Sequence, residues 1–255
     1  MAAPWIKRAG IGLFALAVLY PLSGLVAPVG GWRWDAEVSA QTVASIRVSL
    51  GLPAAAMLIV VLAGTPAAVY IARAGVRERL LWQGALLLSI LLPPLALGIL
   101  LAIAFGPAGA VGHFLASMGV RLSNNPLAFV VTQVYVSIGY YVLGAVAALE
   151  AVPAMLEKHA ALLGQPPWTV FRRVTFPLAR LGLAAALSVA WVRALGEFGA
   201  VVITAYYPAG MPVQLWVNLQ SFGLPAVMPL LAIFLAAALP LPWVIHLLAQ
   251  RRPHA

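Results

Sequence analysis

Six long apolar segments, separated by short polar connections, limit what this 255-residue chain can fold into. They lie at residues 9–26, 43–71, 80–105, 127–149, 181–206 and 224–248. A helix needs about 20 apolar residues to cross a membrane, and inside lipid it must satisfy its own backbone hydrogen bonds. Hydrophobic residues make up 64% of the chain and charged residues only 8%. The sequence therefore predicts an all-α membrane protein with about six transmembrane helices.

The distribution of Lys and Arg predicts the orientation of these helices. With the N-terminus in the cytoplasm, eleven of the fifteen basic residues fall on the cytoplasmic side, three fall outside, and Arg193 lies within a span. The cytoplasmic set is Lys7, Arg8, Arg73, Arg77, Arg79, Lys158, Arg172, Arg173, Arg180, Arg251 and Arg252, and the outer set is Arg33, Arg47 and Arg121. The positive-inside rule then predicts a multi-pass inner-membrane protein with both termini cytoplasmic. These anchors explain the net charge of +9 without nucleic-acid binding.

The first apolar segment has two interpretations. Lys7 and Arg8 before an apolar core are typical of a signal peptide, but Pro28 and its bulky neighbours make a poor cleavage site. We expect a retained anchor. The predicted division is an N-terminal anchor with an outer loop, residues 1–42, followed by a transmembrane domain, residues 43–255.

Several classes of function lack the residues that they require. The chain has no cysteine and only two lysines, and neither lysine lies in a Gly-rich phosphate-binding loop. Its four histidines are widely separated, and no serine lies in a nucleophile-elbow pattern. We therefore expect no catalytic residue, metal, cofactor or ATPase site in this chain.

A polar island, Glu150–Arg180, lies between the fourth and fifth predicted spans. Pro153 suits the first turn of a helix and Gly164 suits the position just past its end, which predicts a helix over residues 154–163. A further helical turn is predicted over residues 168–174, before Pro177 opens the fifth span.

The predicted island helix carries an apolar stripe. Met155, His159 and Leu162 fall on one side of it, with Leu156, Ala160 and Leu163 beside them. Such a stripe on a short helix next to water is typical of a helix that binds in a partner's groove. The alternative is an interfacial helix that rests on lipid, aided by Arg172 and Arg173.

Arg193 and Glu197 form a potential ion pair inside the fifth predicted span. Residues four apart occupy one helix face, and charges at membrane depth face a bundle interior or an aqueous cavity. Either the pair fixes helix packing, or Arg193 attracts an anion along a translocation pathway while Glu197 holds it in place. A proton-coupled secondary transporter with Glu197 as the proton carrier is the alternative function.

Two other features predict irregular helices. Pro66 in the second span and Pro93-Pro94 in the third predict kinks. Residues 213–222 are too short to cross a membrane, and they predict a re-entrant or surface helix.

Residues 158–177 resemble the cytoplasmic loop of permease subunits in binding-protein-dependent ABC importers. The pattern of that loop is Glu-Ala-Ala, three residues, Gly, nine residues, then Ile-x-Leu-Pro. Aligned on Gly164, Ala160 matches, whereas Lys158 and His159 replace the usual Glu and Ala. The closing positions are filled by Val174, Phe176 and Pro177. Whether Glu157, one residue earlier, takes the place of the family's glutamate stays open.

Further segments are similar to the molybdate, tungstate and sulfate branch of that family, above all to its tungstate and molybdate members. They are LPPLALG from Leu92, FGPAGAVG from Phe105, RALGEFGAVVI from Arg193, AYYPAGMPVQLW from Ala205 and NLQSFGLPAVMPLLA from Asn218. The resemblance covers roughly residues 45–250.

The resemblance implies a permease that moves an oxyanion, either tungstate or molybdate, with sulfate as a further option. Two copies of the chain would form the pore, two ATPase subunits would receive the island helices, and an external binding protein would deliver the anion. The implied ATPase-coupling residues are Met155, Lys158, His159, Ala160, Leu162, Gly164 and Pro177. Arg193 and Glu197 are the expected pathway residues.

Overall fold

The computed structural model describes residues 4–25 and 31–250, and within them the secondary structure is helical, without strands. The helices are α1 Pro4–Leu19, α2 Ala36–Arg73, α3 Val76–Leu91, α4 Pro94–Phe105, α5 Ala110–Ser117, α6 Pro126–Glu150, α7 Ala154–Leu162, α8 Pro167–Val170, α9 Phe176–Leu195, α10 Gly199–Thr204, α11 Met211–Phe222, α12 Leu224–Ala238 and α13 Pro240–Gln250. A 3-10 helix, Tyr20–Leu25, follows α1, and a π-helical turn, Phe171–Thr175, joins α8 to α9. The predicted all-α fold is confirmed.

Four helices of the described residues are long and apolar enough to cross a membrane, or five if the bent pair α3–α4 counts as one span. The first of the six predicted spans corresponds to the end of α1 and the 3-10 helix after it. Its apolar stretch, Gly10–Leu25, is shorter than these spans. Parts of the predictions fall outside the described residues: Val26 at the end of that segment, Pro28 of the cleavage-site argument, and the anchors Arg251 and Arg252.

The core forms where α2, α6 and α9 pack against one another. Buried apolar residues from all three helices meet there, among them Val60, Val142 and Ala190. The α6–α9 approach is close because small residues face each other: a Cβ added to Gly182 would lie 2.5 Å from the Cβ of Ala148. Small residues are the usual means by which membrane helices pack closely.

α6 and α2 begin at side-chain caps. The Asn125 side chain accepts a hydrogen bond from the Ala128 N–H at 2.8 Å, and α6 then runs within one residue of its predicted bounds. The Asp35 side chain accepts a hydrogen bond from the Val38 N–H at 2.9 Å. α2 therefore starts at Ala36, earlier than the predicted residue 43. The predicted domain boundary between residues 42 and 43 therefore lies inside α2.

The third predicted span is two helices, α3 and α4, bent by 106°. Pro93 and Pro94 cause the break, because proline lacks an N–H donor and its ring crowds the preceding turn. The kink predicted here is therefore a full change of direction. In α2, by contrast, the helix continues through Pro66.

The fifth span was predicted over residues 181–206, and both ends are wrong. A continuous helical stretch runs over Pro167–Leu195, so Pro177 lies inside it rather than at its start. The π-helical turn precedes Pro177 and shifts the backbone pairing, with the Phe176 N–H donating to the Phe171 carbonyl oxygen. Wider turns of this kind accommodate residues that an α-helix excludes. At the other end the helix stops at Leu195, and α10 begins at Gly199.

The segment predicted at residues 213–222 forms α11, which starts at Met211. Met211, Val213 and Asn218 are fully buried. This helix is therefore packed into the protein, which argues against the interpretation as a surface helix.

Candidate functional site

The island helix has the form that its local sequence predicts. α7 covers Ala154–Leu162, within one residue of the predicted range. Gly164 adopts a left-handed φ of +77°, and its N–H donates to the Ala161 carbonyl oxygen at 2.9 Å. The Gln165 N–H donates to the Ala160 carbonyl oxygen at 3.2 Å, which completes a Schellman motif. The polar island therefore contains a well-terminated helix.

The residues predicted to face a partner are mostly exposed. Met155, Lys158, His159, Leu162 and Gly164 are exposed, and Ala160 is half-buried. The side chain of Leu162 is 85% exposed, which is a large apolar surface for a single residue. Pro177 is exposed as well, but it belongs to the first turn of α9 rather than to α7. The structure thus brings six of the seven predicted coupling residues together on one short helix and its cap.

Glu157 faces away from this exposed surface. Its Oε1 accepts a hydrogen bond from Arg73 at the end of α2, at 2.5 Å, and another from the Thr175 hydroxyl in the π-helical turn, at 2.7 Å. The sequence leaves its role open, because Arg73 and Glu157 are 84 positions apart and no local pattern connects them. As Glu157 is the only acidic residue of α7, the outer surface of that helix is apolar and basic.

Arg193 and Glu197 form the expected ion pair, though not on one continuous helix. Arg193 lies in the last turn of α9, and Glu197 lies in the break before α10. The second oxygen of the Glu197 carboxylate accepts a hydrogen bond from the Ala200 N–H at 2.6 Å. The Glu197 side chain is 1% exposed and that of Arg193 is 23% exposed, with the guanidinium 5.8 Å from the centre of the Tyr140 ring. A carboxylate held by both partners is a poor candidate for a free proton carrier.

Other buried polar contacts could not be predicted from the sequence. The hydroxyls of Thr132 and Thr204 lie 2.7 Å apart, and the Gln214 side-chain amide donates to Asn218 at 2.8 Å. No local sequence pattern singles out these residues within their apolar segments. Their pairing depends on which helices become neighbours in the fold. Among the described residues, no group of three or more His, Asp or Glu could hold a metal ion.

Two solved structures share this fold. A bacterial ABC transporter involved in the import of the acidic polysaccharide alginate has a TM-score of 0.75 at 16% identity, covering 97% of this chain and 96% of that one. A structure of an amino acid ABC transporter with histidines has a TM-score of 0.61 at 18% identity, covering 86% and 100%. The chain therefore shares its fold with these two ABC transporter chains.

The family is shown by sequence. Residues 61–252 match the family described as the inner membrane component of binding-protein-dependent transport systems, and the chain belongs to this family. The resemblance stated from the sequence is confirmed at this level.

Named relatives agree with the branch that the sequence indicates. A probable molybdenum ABC transporter permease protein of Haloferax volcanii is 32% identical, over 93% of this chain and 87% of its own length. The molybdenum transport system permease protein ModB of Mycobacterium tuberculosis is 36% identical over 68% of this chain and 65% of its own. The sulfate transport system permease protein CysT of Escherichia coli is 29% identical over 92% and 88%.

Proposed function

We propose that this chain is the permease of an ATP-driven importer of a tetrahedral oxyanion, with molybdate or tungstate preferred over sulfate. The observation that carries this proposal is the 32% identity to a probable molybdenum permease across 93% of the chain. Sulfate permeases are similar over a comparable length, so the class of anion is better supported than the individual anion.

In this proposal the energy comes from a partner, because the chain has no phosphate-binding loop. Two ATPase subunits each bind the exposed face of one α7, where Met155 and Leu162 supply apolar area, Lys158 supplies positive charge and His159 supplies an imidazole for hydrogen bonding. A short helix with an exposed apolar stripe suits a groove on a partner. Two copies of the chain enclose the pore, and an external binding protein delivers the anion.

The proposed orientation follows from charge. At the α7 end of the bundle, Arg73 ends α2 and Arg77 and Arg79 lie in the first turn of α3, whereas the connection before α6 contains Arg121 alone. The positive-inside rule puts the richer end, with both termini, in the cytoplasm of an inner-membrane protein. The anchor and its outer loop then precede α2, and the transmembrane domain begins with α2 at Ala36 rather than at residue 43.

Arg193 is the residue that we propose for the pathway. Its side chain is only partly buried, and the positive potential of a partly desolvated guanidinium attracts a dianion. Glu197 keeps the affinity low, since it neutralises most of that charge and fixes the guanidinium in place. A weak site suits a permease, because an anion that is bound tightly leaves slowly.

The test is ATP hydrolysis by the assembled complex in proteoliposomes. The permease is purified with its ATPase, and the external binding protein is added after loading with molybdate, tungstate or sulfate. We expect the molybdate- or tungstate-loaded protein to stimulate hydrolysis more than the sulfate-loaded protein. Stimulation by sulfate alone would contradict the anion preference. Failure of any ATPase subunit to co-purify would contradict the importer itself.

A further inference from the structure

α7 is attached to the rest of the protein in an unusual way. Within α7, every residue of which is described, none is buried. A cavity of about 410 Å³ lies beneath it, lined by Val69 and Ala72 of α2 and by Ala154 and Ala161 of α7. Apolar packing, which normally fixes the orientation of a helix, therefore contributes little at this place.

One carboxylate bridges this gap. Glu157 Oε1 accepts hydrogen bonds from Arg73 on α2, at 2.5 Å, and from Thr175, at 2.7 Å. The Glu157 side chain is 19% exposed and Thr175 is buried, so water competes little for these bonds. Charge-assisted hydrogen bonds of this length are about twice as strong as neutral ones.

The same guanidinium reaches a further helix. Arg73 lies 3.4 Å from the Leu149 carbonyl oxygen in the last turn of α6, at the weak end of hydrogen bonding. A cation is favoured there, because the C-terminus of a helix carries partial negative charge. Arg73 and Glu157 thus connect α7 with the ends of α2 and α6, while Thr175 adds the helical stretch that leads into α9.

We propose that Glu157 is a positioning residue for coupling: it makes α7, α2 and the start of the α9 stretch move as one body when an ATPase subunit pushes on α7. The inference rests on the proposed function, since it assumes that α7 receives the ATPase. It separates docking from transmission: the exposed apolar residues Met155 and Leu162 face the partner, and Glu157 transmits the displacement inward.

The molecule contains a matched control. Arg79 and Glu150 form an ion pair at 2.8 Å that joins α3 to the end of α6 without touching α7. Its members are 34% exposed each, against 34% for Arg73 and 19% for Glu157, so it matches the Arg73–Glu157 pair in chemistry and has a more exposed carboxylate. Removing the Arg79–Glu150 pair therefore shows how the loss of an ion pair that does not involve α7 affects transport.

The experiment compares Glu157→Gln and Thr175→Val with Glu150→Gln in the permease–ATPase complex. Three quantities are measured: co-purified ATPase, ATP hydrolysis, and radioactive anion moved per ATP in proteoliposomes. For Glu157→Gln we expect normal co-purification, hydrolysis within about twofold of wild type, and about tenfold less transport per ATP, since a charged hydrogen bond of typical strength is lost. Thr175→Val has a smaller effect in the same direction, and Glu150→Gln has none.

A charge exchange supplies the rescue. Arg73→Glu combined with Glu157→Arg restores the pair with reversed polarity but places a carboxylate at the C-terminus of α6, so transport per ATP is expected to recover only in part. Unchanged transport per ATP in Glu157→Gln, or an equal loss in Glu150→Gln, overturns the proposal. So does loss of co-purification in Glu157→Gln alone, because it would make Glu157 part of the docking contact.

A measurement on the permease without its ATPase separates this inference from the proposed function. Because the chain has no cysteine, spin labels can be placed at Leu162→Cys on α7 and Leu127→Cys at the opposite end of α6. We expect one narrow distance distribution, broadened by Glu157→Gln and not by Glu150→Gln. A distribution that is unaffected by Glu157→Gln counts against the positioning role, even if no ATPase is ever found to bind.

Discussion

The α2–α6–α9 core and the α7 surface are held together by different forces. In the core, buried Val and Ala side chains pack together, and the missing side chain of glycine lets helices approach closely, as at Gly182 and Ala148. α7 has no buried residue and depends on the polar contacts of Glu157. Each region also contains an ion pair, Arg193–Glu197 with its carboxylate fully buried, and Arg73–Glu157 with both members partly exposed. The core is therefore held by close packing, whereas α7 is held by hydrogen bonds and keeps its apolar side chains exposed.

The largest effect on stability is expected at the buried pair. Arg193→Gln leaves the Glu197 carboxylate unpaired in the interior, and breaking a buried pair from one side costs about 3–5 kcal/mol. Thermal unfolding of the purified protein in detergent measures the loss. The double variant Arg193→Gln with Glu197→Gln should recover most of it, since no isolated charge remains. A single variant that is as stable as the double variant would show that the pair is less isolated from water than its burial indicates.

A smaller loss is expected from overfilling the α6–α9 contact. Gly182→Leu places side-chain atoms where Ala148 already lies, and overpacking of this kind costs about 1–3 kcal/mol. The matched control is Gly84→Leu on α3, where no atom lies within 4 Å of an added Cβ. Unfolding temperatures of the two variants should differ clearly. Equal stability would mean that small-residue packing does not hold the core.

Substitutions on the exposed face of α7 should affect partner binding rather than stability, in contrast to those in the core. Leu162→Glu changes stability by no more than about 0.5 kcal/mol, as is usual for surface substitutions, yet it should abolish co-purification of the ATPase. Met118→Glu is the control, because Met118 is also exposed but lies in the connection before α6, away from the island. An ATPase that still binds the Leu162 variant would remove α7 from the interface.

Local signals explain what could be predicted from the sequence. α6 was predicted to within one residue, because Asn125 and Pro126 mark its start and an uninterrupted apolar run follows. α7 was recognised from Pro153 and Gly164, which define its two ends. Both signals act within a few residues of the chain, so that neither depends on the neighbouring helices.

Long-range signals are absent from a single sequence, and this explains what was missed. Arg73 and Glu157 are 84 positions apart, and Thr132 and Thr204 are 72 apart. Their contacts follow from the packing of whole helices. The course of the helix through Pro177 was missed for a related reason, since a π-helical turn compensates for the proline and helix propensity does not reveal it.

The smallest expected effect on stability comes from the residue that caps the start of a helix, which differs between the core and α7. α7 follows Pro153 without a side-chain cap, whereas α2 of the core begins at Asp35. The hydrogen bond from the Val38 N–H, followed by the contact with Arg33, lowers the pKa of Asp35 below its usual value of 3.8. A lowered carboxyl pKa stabilises the folded state above the unfolded value, and the contribution disappears as the pH falls through the folded value.

Asp35→Asn separates the charge of this cap from its geometry, since asparagine also caps helices well. Wild type should exceed the variant in unfolding temperature by a constant small margin above pH 3.8, and the margin should shrink at lower pH. Unfolding scans between neutral and acidic pH in detergent measure it. If the difference in unfolding temperature between wild type and Asp35→Asn grew as the pH fell, the Asp35 carboxylate would not stabilise the start of α2.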